Sequence, residues 1–343
     1  MNRRYQPLSV LFGLSTLLSV IGFYALSIGP IEISFGDLLK SLVGTPGSMQ
    51  VDLVIFEIRL PRILLGILVG AGLGVAGAAM QGLFRNPLAD PALVGVSSGA
   101  ALSAVTVIVL GHSFLKEWVG VFQGAAVPAA AFLGGLLVSW IIYRVATKND
   151  HTDVGLMLLT GVAVNAIAAS ATGFLTYLAT DEALRNLTFW TMGSISGATW
   201  QDLLMVFLPI LVALIGLPYF ARGLNAFSMG EAVSNHMGFQ VNRLKWGVIS
   251  LSALAVGAAV SVSGIIGFVG LVAPHLVRLL LGPDHRWLLS GSALMGAMLV
   301  VLSDLLARTL LSPAEIPIGI VMSAIGGPFF LWLLLQRRSR VGL

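Results

Sequence analysis

The chain has 343 residues, of which 57% are hydrophobic and only 10% are charged. A mean hydropathy of +0.95 excludes a soluble globular protein, because so apolar a surface would aggregate in water. The net charge of +4 and the pI near 9.7 are read as a topology signal, so a nucleic-acid partner is not expected, and the lack of cysteine excludes disulfides and thiolate metal sites.

Apolar runs predict membrane spans along the whole chain. A helical span needs about 20 predominantly apolar residues. The run 246–281 would form a helix of roughly 54 Å, so we expect it to break near Gly264 into two spans. The sequence therefore predicts an all-α polytopic membrane fold with ten spans in a single domain, 1–343. The nine runs are 8–28, 61–84, 92–111, 119–143, 154–178, 203–220, 246–281, 287–307 and 316–335.

Both termini are expected in the cytoplasm. The first run, 8–28, is longer than the apolar region of about 7 to 15 residues in a secretory signal, so we expect it to be retained as a helix. With the amino terminus inside, thirteen of the 19 Lys and Arg residues fall in cytoplasmic segments. This asymmetry is the one that basic residues show in multi-pass proteins.

Small residues at four-residue spacing indicate how the spans meet. Gly66, Gly70 and Gly74 lie on one face of the second span, and Gly95 and Gly99 lie on the third. Such spacing lets helix backbones approach closely in a membrane. A densely packed bundle follows, although no substrate does.

Two polar segments interrupt the apolar pattern on the predicted cytoplasmic side. In the loop 85–91, two prolines force the chain out of the helix and turn side chains towards a path or a partner, although a plain helix-to-helix turn needs the same prolines. The longest cytoplasmic connection, 221–243, contains a predicted short amphipathic helix over 228–238, stopped by Gly238. That helix is a candidate contact for a partner protein.

Charged groups bear on the energy source. Asp304 is the clear acid within a span, and an ion pair with Arg308, one turn later, is favoured over a proton relay. An ion-coupled secondary transporter would bury more acids, and a membrane enzyme would need a catalytic cluster. No phosphate-binding Gly-x-x-x-x-Gly-Lys-Ser/Thr motif occurs. We therefore expect no catalytic residues and no enzyme activity, and any active transport must draw on an ATPase in another subunit.

Several motifs in consistent order over about residues 50–335 resemble the FecCD-type permeases of ABC importers. That resemblance implies a bacterial inner-membrane homodimer with a path at the dimer axis, two cytoplasmic ATP-binding cassette subunits that bind ATP and Mg, a periplasmic binding protein and surrounding lipid. No cofactor is expected in this chain. The motifs are Arg59–Arg62, Asn86–Pro91, Trp190–Ser194, Gly230–Glu231 with Gly238, Gly267–His275 and Glu315–Gly319.

The resemblance also implies roles for individual residues. The helix around Gly230 would couple the permease to the ATPase, although Glu231 could equally serve only to stabilise a helix N-terminus. Three arginines on the predicted outer side would dock the binding protein, and the loop after the second span would line the cytoplasmic gate. The residues are Ser228, Met229, Gly230, Glu231, Ala232 and Gly238 for coupling, Asn86, Pro87 and Leu88 for the gate, and Arg59, Arg62 and Arg308 for docking.

The transported substrate is the least determined property. The segment 185–194 is most similar to the haem permeases, with a ferric siderophore or cobalamin as alternatives. Histidine is a common haem ligand, but none of the five histidines pairs at i, i+4, so ordinary hydrogen bonding is favoured for each and no metal site is predicted. His112, near the outer end of the third span, is the histidine to substitute first.

Overall fold

The computed structural model describes residues 6–31, 33–43, 49–111, 115–148 and 151–341, and it is an all-α bundle with one short β-hairpin. A π-helical stretch, Val54–Arg59, joins α3 to α4, and 3₁₀ turns cover Pro91–Val94 and Gln123–Ala125. His112 lies outside the described residues. The helices and strands are α1 Pro7–Ser27, α2 Phe35–Val43, α3 Met49–Leu53, α4 Leu60–Leu83, α5 Val96–Leu110, α6 Lys116–Phe122, α7 Ala126–Val145, β1 Thr147–Lys148, β2 His151–Thr152, α8 Val154–Tyr177, α9 Asp181–Met192, α10 Trp200–Tyr219, α11 Ala221–Ser228, α12 Glu231–His236, α13 Val241–Ser263, α14 Val269–Leu281, α15 His285–Thr309 and α16 Ile318–Val341.

Ten apolar helices of the described chain match the ten predicted spans in order. Eight are long and apolar enough to cross a membrane, and α5 and α14 are shorter apolar helices. The predicted break in the run 246–281 is confirmed, because α13 ends at Ser263 and Gly264 has a φ of 64°. Glycine adopts this left-handed region without steric cost.

The helix α4 lies at the centre of the bundle, packed against α10, α13, α14 and α15. We call the end of the bundle where α4 ends and α15 begins the termini face, and the opposite end the distal face. Exposed aromatic side chains lie near both ends, as expected where amphipathic rings sit at the headgroup level. They are Trp140, Tyr219 and Trp246 near the termini face, and Tyr24, Tyr177 and Trp200 near the distal face.

The glycine spacing of α4 serves direct backbone contact, as predicted. A Cβ atom at Gly70 would collide with the carbonyl oxygen of Gly296 on α15, and one at Gly77 with the carbonyl oxygen of Gly270 on α14. The helices therefore meet without intervening side chains. This close approach holds α14 and α15, whose ends carry functional candidates, in fixed positions on α4.

Gly70→Ala is expected to destabilise the protein by about 1–3 kcal/mol, the usual cost of overpacking a filled interface. The melting temperature of the purified protein in detergent measures the effect. Gly13→Ala is the matched control, because Gly13 lies on α1 and a Cβ atom added there would meet nothing within 4 Å. That control should leave stability unchanged or slightly raised, since alanine favours helix over glycine. Equal melting temperatures for both variants would contradict the backbone contact.

Candidate functional site

Two short helices, one buried and one exposed, lie at the termini face. The helix α11 is anchored, with Leu224 and Phe227 fully buried, whereas α12 is mostly exposed. The apolar side chains Met229, Val233 and Met237 recur every four residues along this segment and are all exposed. The pair therefore forms a projecting stripe on a firmly held base, which we call the α12 stripe.

The predicted helix over 228–238 is partly wrong in its start. Ser228 and Met229 belong to the end of α11, and α12 begins at Glu231, because Gly230 adopts a φ of 124° that interrupts the helix. Gly238 has a φ of 86° and follows the last turn, so the predicted left-handed stop is confirmed. Ala232 is exposed on α12.

A buried lysine ties α12 to the bundle. The Nζ of Lys245 on α13 donates to the Glu231 carboxylate at 2.8 Å and to the carbonyl oxygen of Thr152 on β2 at 2.7 Å. Only 2% of Lys245 is exposed. A buried ammonium requires such partners, because desolvation of an unpaired charge is costly. Glu231 therefore does more than begin a helix: it joins α12 to α13 through Lys245, and Lys245 in turn joins α13 to the hairpin.

Phe227 connects this lysine to the loop 85–91. Its ring lies 5.8 Å from the Lys245 ammonium and 5.0 Å from the Arg85 guanidinium, both within cation–π range. Arg85 itself has a φ of 49°, uncommon for a residue with a side chain. The helix α11, from which α12 projects, is thus in direct contact with the loop after α4.

A network of hydrogen bonds joins α11 to the start of α15. The side-chain amide of Asn225 donates to Asp284 at 2.7 Å, and its Oδ1 accepts from the backbone nitrogen of His285 at 2.9 Å. The hydrogen bonds that Arg286 donates hold the pKa of Asp284 well below its usual value. Ordinary hydrogen bonding, as predicted for the histidines, is observed for the Nδ1 of His285, 2.8 Å from the Asn225 oxygen.

The loop 85–91 is a compact turn rather than an open arm. The side-chain oxygen of Asn86 accepts from the backbone nitrogen of Leu88 at 3.0 Å, and Asp90 accepts from that of Ala92 at 2.7 Å. Burial raises the pKa of Asp90 above its usual value. Pro87 and Leu88 line a small cavity against α14 and α16, whereas the side chain of Asn86 is occupied in its own turn. The gate role of these residues stays a prediction.

The three arginines predicted to dock a binding protein lie buried at the distal face. Arg62 donates to Asp304 at 2.7 and 2.9 Å and to Glu315 at 3.0 Å. Arg308 donates to the carbonyl oxygen of Ala25 at 2.7 Å and lies 3.7 Å from Asp304, which confirms the predicted ion pair.

Arg59 completes this group by donating to the carbonyl oxygens of Leu26, at 2.6 Å, and of Ile31. Three cations near one another in an apolar bundle need carboxylate and carbonyl partners, and these are supplied from within the chain. The three arginine side chains are therefore not presented at the surface of the described chain, and docking of a binding protein through them stays a prediction that their burial does not support.

Two residues that carry the arrangement were missed in the sequence. In the sequence, Lys245 indicates only topology, and Phe227 lies in the cytoplasmic connection 221–243 without any distinguishing pattern. A lysine directly before the apolar run 246–281 is the signal in the sequence, because a cation at the end of a span needs a partner where it is buried.

Known proteins are similar in sequence to this chain over most of its length. The profile of the FecCD transport family matches residues 17–336. The Hemin transport system permease protein HmuU of Yersinia pestis is 43% identical over 341 residues, 99% of each chain. The Cobalamin import system permease protein BtuC of Halobacterium salinarum is 42% identical over 297 residues, 87% of this chain and 77% of that protein.

A solved structure agrees in fold. It is an inward-facing conformation of a protein assigned to the metal-chelate type of ABC transporter, and it superposes with a TM-score of 0.83 at 34% identity, covering 96% of this chain and 99% of that one. With a family profile over residues 17–336 and relatives above 30% identity across almost the whole chain, this protein belongs to the FecCD transport family.

Proposed function

We propose that the chain is the membrane-spanning permease of a binding-protein-dependent ABC importer that carries haem across the bacterial inner membrane. Its relatives are named as permeases for hemin, cobalamin or vitamin B12. The observation that carries the proposal is the α12 stripe, which projects from the termini face while its base is bonded to three other elements. An exposed apolar stripe on an anchored helix suits the groove of a partner.

The partner at this stripe is a separate ATP-binding cassette subunit, and two copies of the permease form the translocation path between them. The helix α8 carries exposed apolar side chains, which would be covered either by a helix of the second copy or by lipid. They include Leu159, Val162 and Ile167. A periplasmic protein delivers the substrate at the distal face, and both termini lie in the cytoplasm.

In this mechanism the ATPase moves α12, and the contacts at its base carry the movement inward. The ion pair of Glu231 with Lys245 transmits the movement of α12 to α13 and, through the bond to Thr152, to the hairpin. The contact of Phe227 with Arg85 transmits it to the loop 85–91. That loop packs against α14 and α16 through Pro87 and Leu88. A small displacement at the stripe is thereby converted into a rigid-body change of the path, one of the common modes of switching.

Val233→Asp is expected to weaken binding of the ATPase subunit by roughly 10- to 100-fold, because a charge would be buried at the centre of an apolar contact and hot-spot residues contribute about 1–3 kcal/mol or more. Affinity for the ATPase is measured with purified subunits in detergent. Asn235→Asp is the control, since it adds the same charge to α12 at an exposed position about 200° around the helix. Equal affinities for the two variants would exclude the stripe as the contact.

Haem is the proposed substrate because the hemin permease is 43% identical over 99% of both chains, whereas a vitamin B12 permease that aligns over 98% of both chains is 37% identical. The test is uptake by proteoliposomes that contain the permease, its ATPase and its binding protein. We expect haem to accumulate faster than cobalamin or a ferric siderophore at equal concentration. Uptake of cobalamin or siderophore without haem would overturn the haem assignment and leave the importer type intact.

A further inference from the structure

A large basic cavity opens at the termini face beside the segment already described. It has a volume of about 1080 Å³ and lies between the end of α10 and the start of α13. Arg222, Arg243 and Arg286 line it together with the aromatic side chains of Tyr219, Phe239 and Trp246, and no carboxylate is among the described residues that line it. The cavity therefore offers positive charge and apolar surface to the same ligand.

Two of the three guanidinium groups are free to bind an anion. Arg286 is paired with Asp284 at 2.6 Å. In the part of the chain that the structure describes, Arg222 and Arg243 are exposed, and their side chains have neither a hydrogen bond nor an ion pair. Arginine presents a planar fork of donors that matches the oxygens of a phosphate.

An apolar track leads from the membrane to these arginines. Leu204, Leu208, Ile215 and Tyr219 follow one another at helical spacing along α10, and each is strongly exposed. Tyr219 then forms part of the cavity wall together with Trp246. Exposed tyrosine and tryptophan rings mark the headgroup level of a membrane. A ligand with acyl chains on the track would hold its headgroup in the cavity.

We propose that this cavity binds the headgroup of an acidic phospholipid from the leaflet at the termini face, with its phosphate on Arg222 and Arg243 and its acyl chains along α10. Basic pockets between membrane helices suit such headgroups. The phosphate chemistry would also suit soluble phosphate, but the apolar track favours the lipid. A carboxylate-bearing surface of the ATPase is the competing occupant, and it would make no use of the track. The proposal rests on the membrane placement of the helices and not on the transported substrate.

The test measures binding of phosphatidylglycerol to the purified full-length permease in neutral detergent by native mass spectrometry, with phosphatidylcholine as the reference lipid. Each basic group near an acidic membrane surface contributes about 1 kcal/mol, so Arg222→Gln or Arg243→Gln should weaken phosphatidylglycerol binding about 5-fold and the double variant roughly 30-fold. Phosphatidylcholine binding should not change. Both arginines are exposed, and an unchanged melting temperature will confirm that the variants fold.

The matched control is the double variant Arg144→Gln with Lys148→Gln, which removes the same charge from exposed residues at the same face but outside the cavity. It should keep the parent affinity for phosphatidylglycerol. Equal losses in the two double variants, or no loss in either, would overturn the proposal. Displacement of the lipid by inorganic phosphate at equal concentration would indicate a site for soluble phosphate and overturn the lipid assignment. Unchanged lipid binding with weakened ATPase binding in the cavity variant would place the cavity in the subunit interface instead.

Discussion

Arg62→Ala is expected to lower the free energy of unfolding by about 3–5 kcal/mol, the usual cost of removing one partner from a buried ion pair. Asp304 is only 2% exposed and would lose both hydrogen bonds that Arg62 donates to it. Arg308 remains at 3.7 Å and compensates for part of the loss. Glu315 would lose its ion pair with Arg62, and with it the tie between α4 and the segment just before α16.

The measurement is the melting temperature of the purified permease in detergent. Arg185→Ala serves as the control, because Arg185 is exposed on α9 and substitutions at such surface positions usually change stability by less than about 0.5 kcal/mol. If both variants melted together, the buried network would contribute nothing to stability. Because Arg62 is part of this buried network, the docking of a binding protein to an Arg62 variant is informative only when folding is measured beside it.

Lys245→Met is expected to reduce the amount of substrate transported per ATP hydrolysed by about 2- to 30-fold, corresponding to a coupling energy of about 0.5–2 kcal/mol. Methionine fills the space of the lysine stem but cannot bond to Glu231 or to the carbonyl of Thr152. Glu231 is partly exposed, so water can solvate its carboxylate and the fold should survive. ATP hydrolysis should continue while the movement of α12 is no longer passed to α13.

Glu231→Gln is the graded comparison for this prediction. Its amide oxygen can still accept a hydrogen bond from Lys245, so coupling should fall less than with Lys245→Met. Transport and hydrolysis are measured together in proteoliposomes that contain the ATPase and the binding protein. A parent ratio of transport to hydrolysis in Lys245→Met, with normal assembly, would exclude the lysine from the coupling route.

The spans were predictable because hydropathy acts over whole segments. A run of about 20 apolar residues can form a span wherever its partners lie, and the ten predicted spans match ten apolar helices of the described chain. The break at Gly264 was also predictable, since glycine tolerates the φ of 64° found there. The close approach of helices at Gly70 and Gly74 was predictable because residues at four-residue spacing lie on one face of a helix.

The buried network could not be read from the sequence. Arg62 and Asp304 are 242 residues apart, and hydropathy gives the depth of a residue along a span but not the direction in which it points. The topology therefore places the three arginines on the outer side, but it does not show that their side chains point into the bundle. The start of α12 was misplaced by a few residues because a glycine before an apolar pattern can lie inside a helix or begin one. The meeting of Phe227 with Arg85 and Lys245 depends on tertiary packing alone.

We expect this permease to move its substrate only with energy supplied by a separate ATPase. The most direct measurement is haem uptake by proteoliposomes containing the permease, the ATPase and the binding protein, with ATP, without ATP, and with a proton or sodium gradient in place of ATP. We predict haem uptake in the presence of ATP and no uptake in the other two conditions. Uptake driven by an ion gradient in the absence of ATP would contradict the account and indicate a secondary transporter.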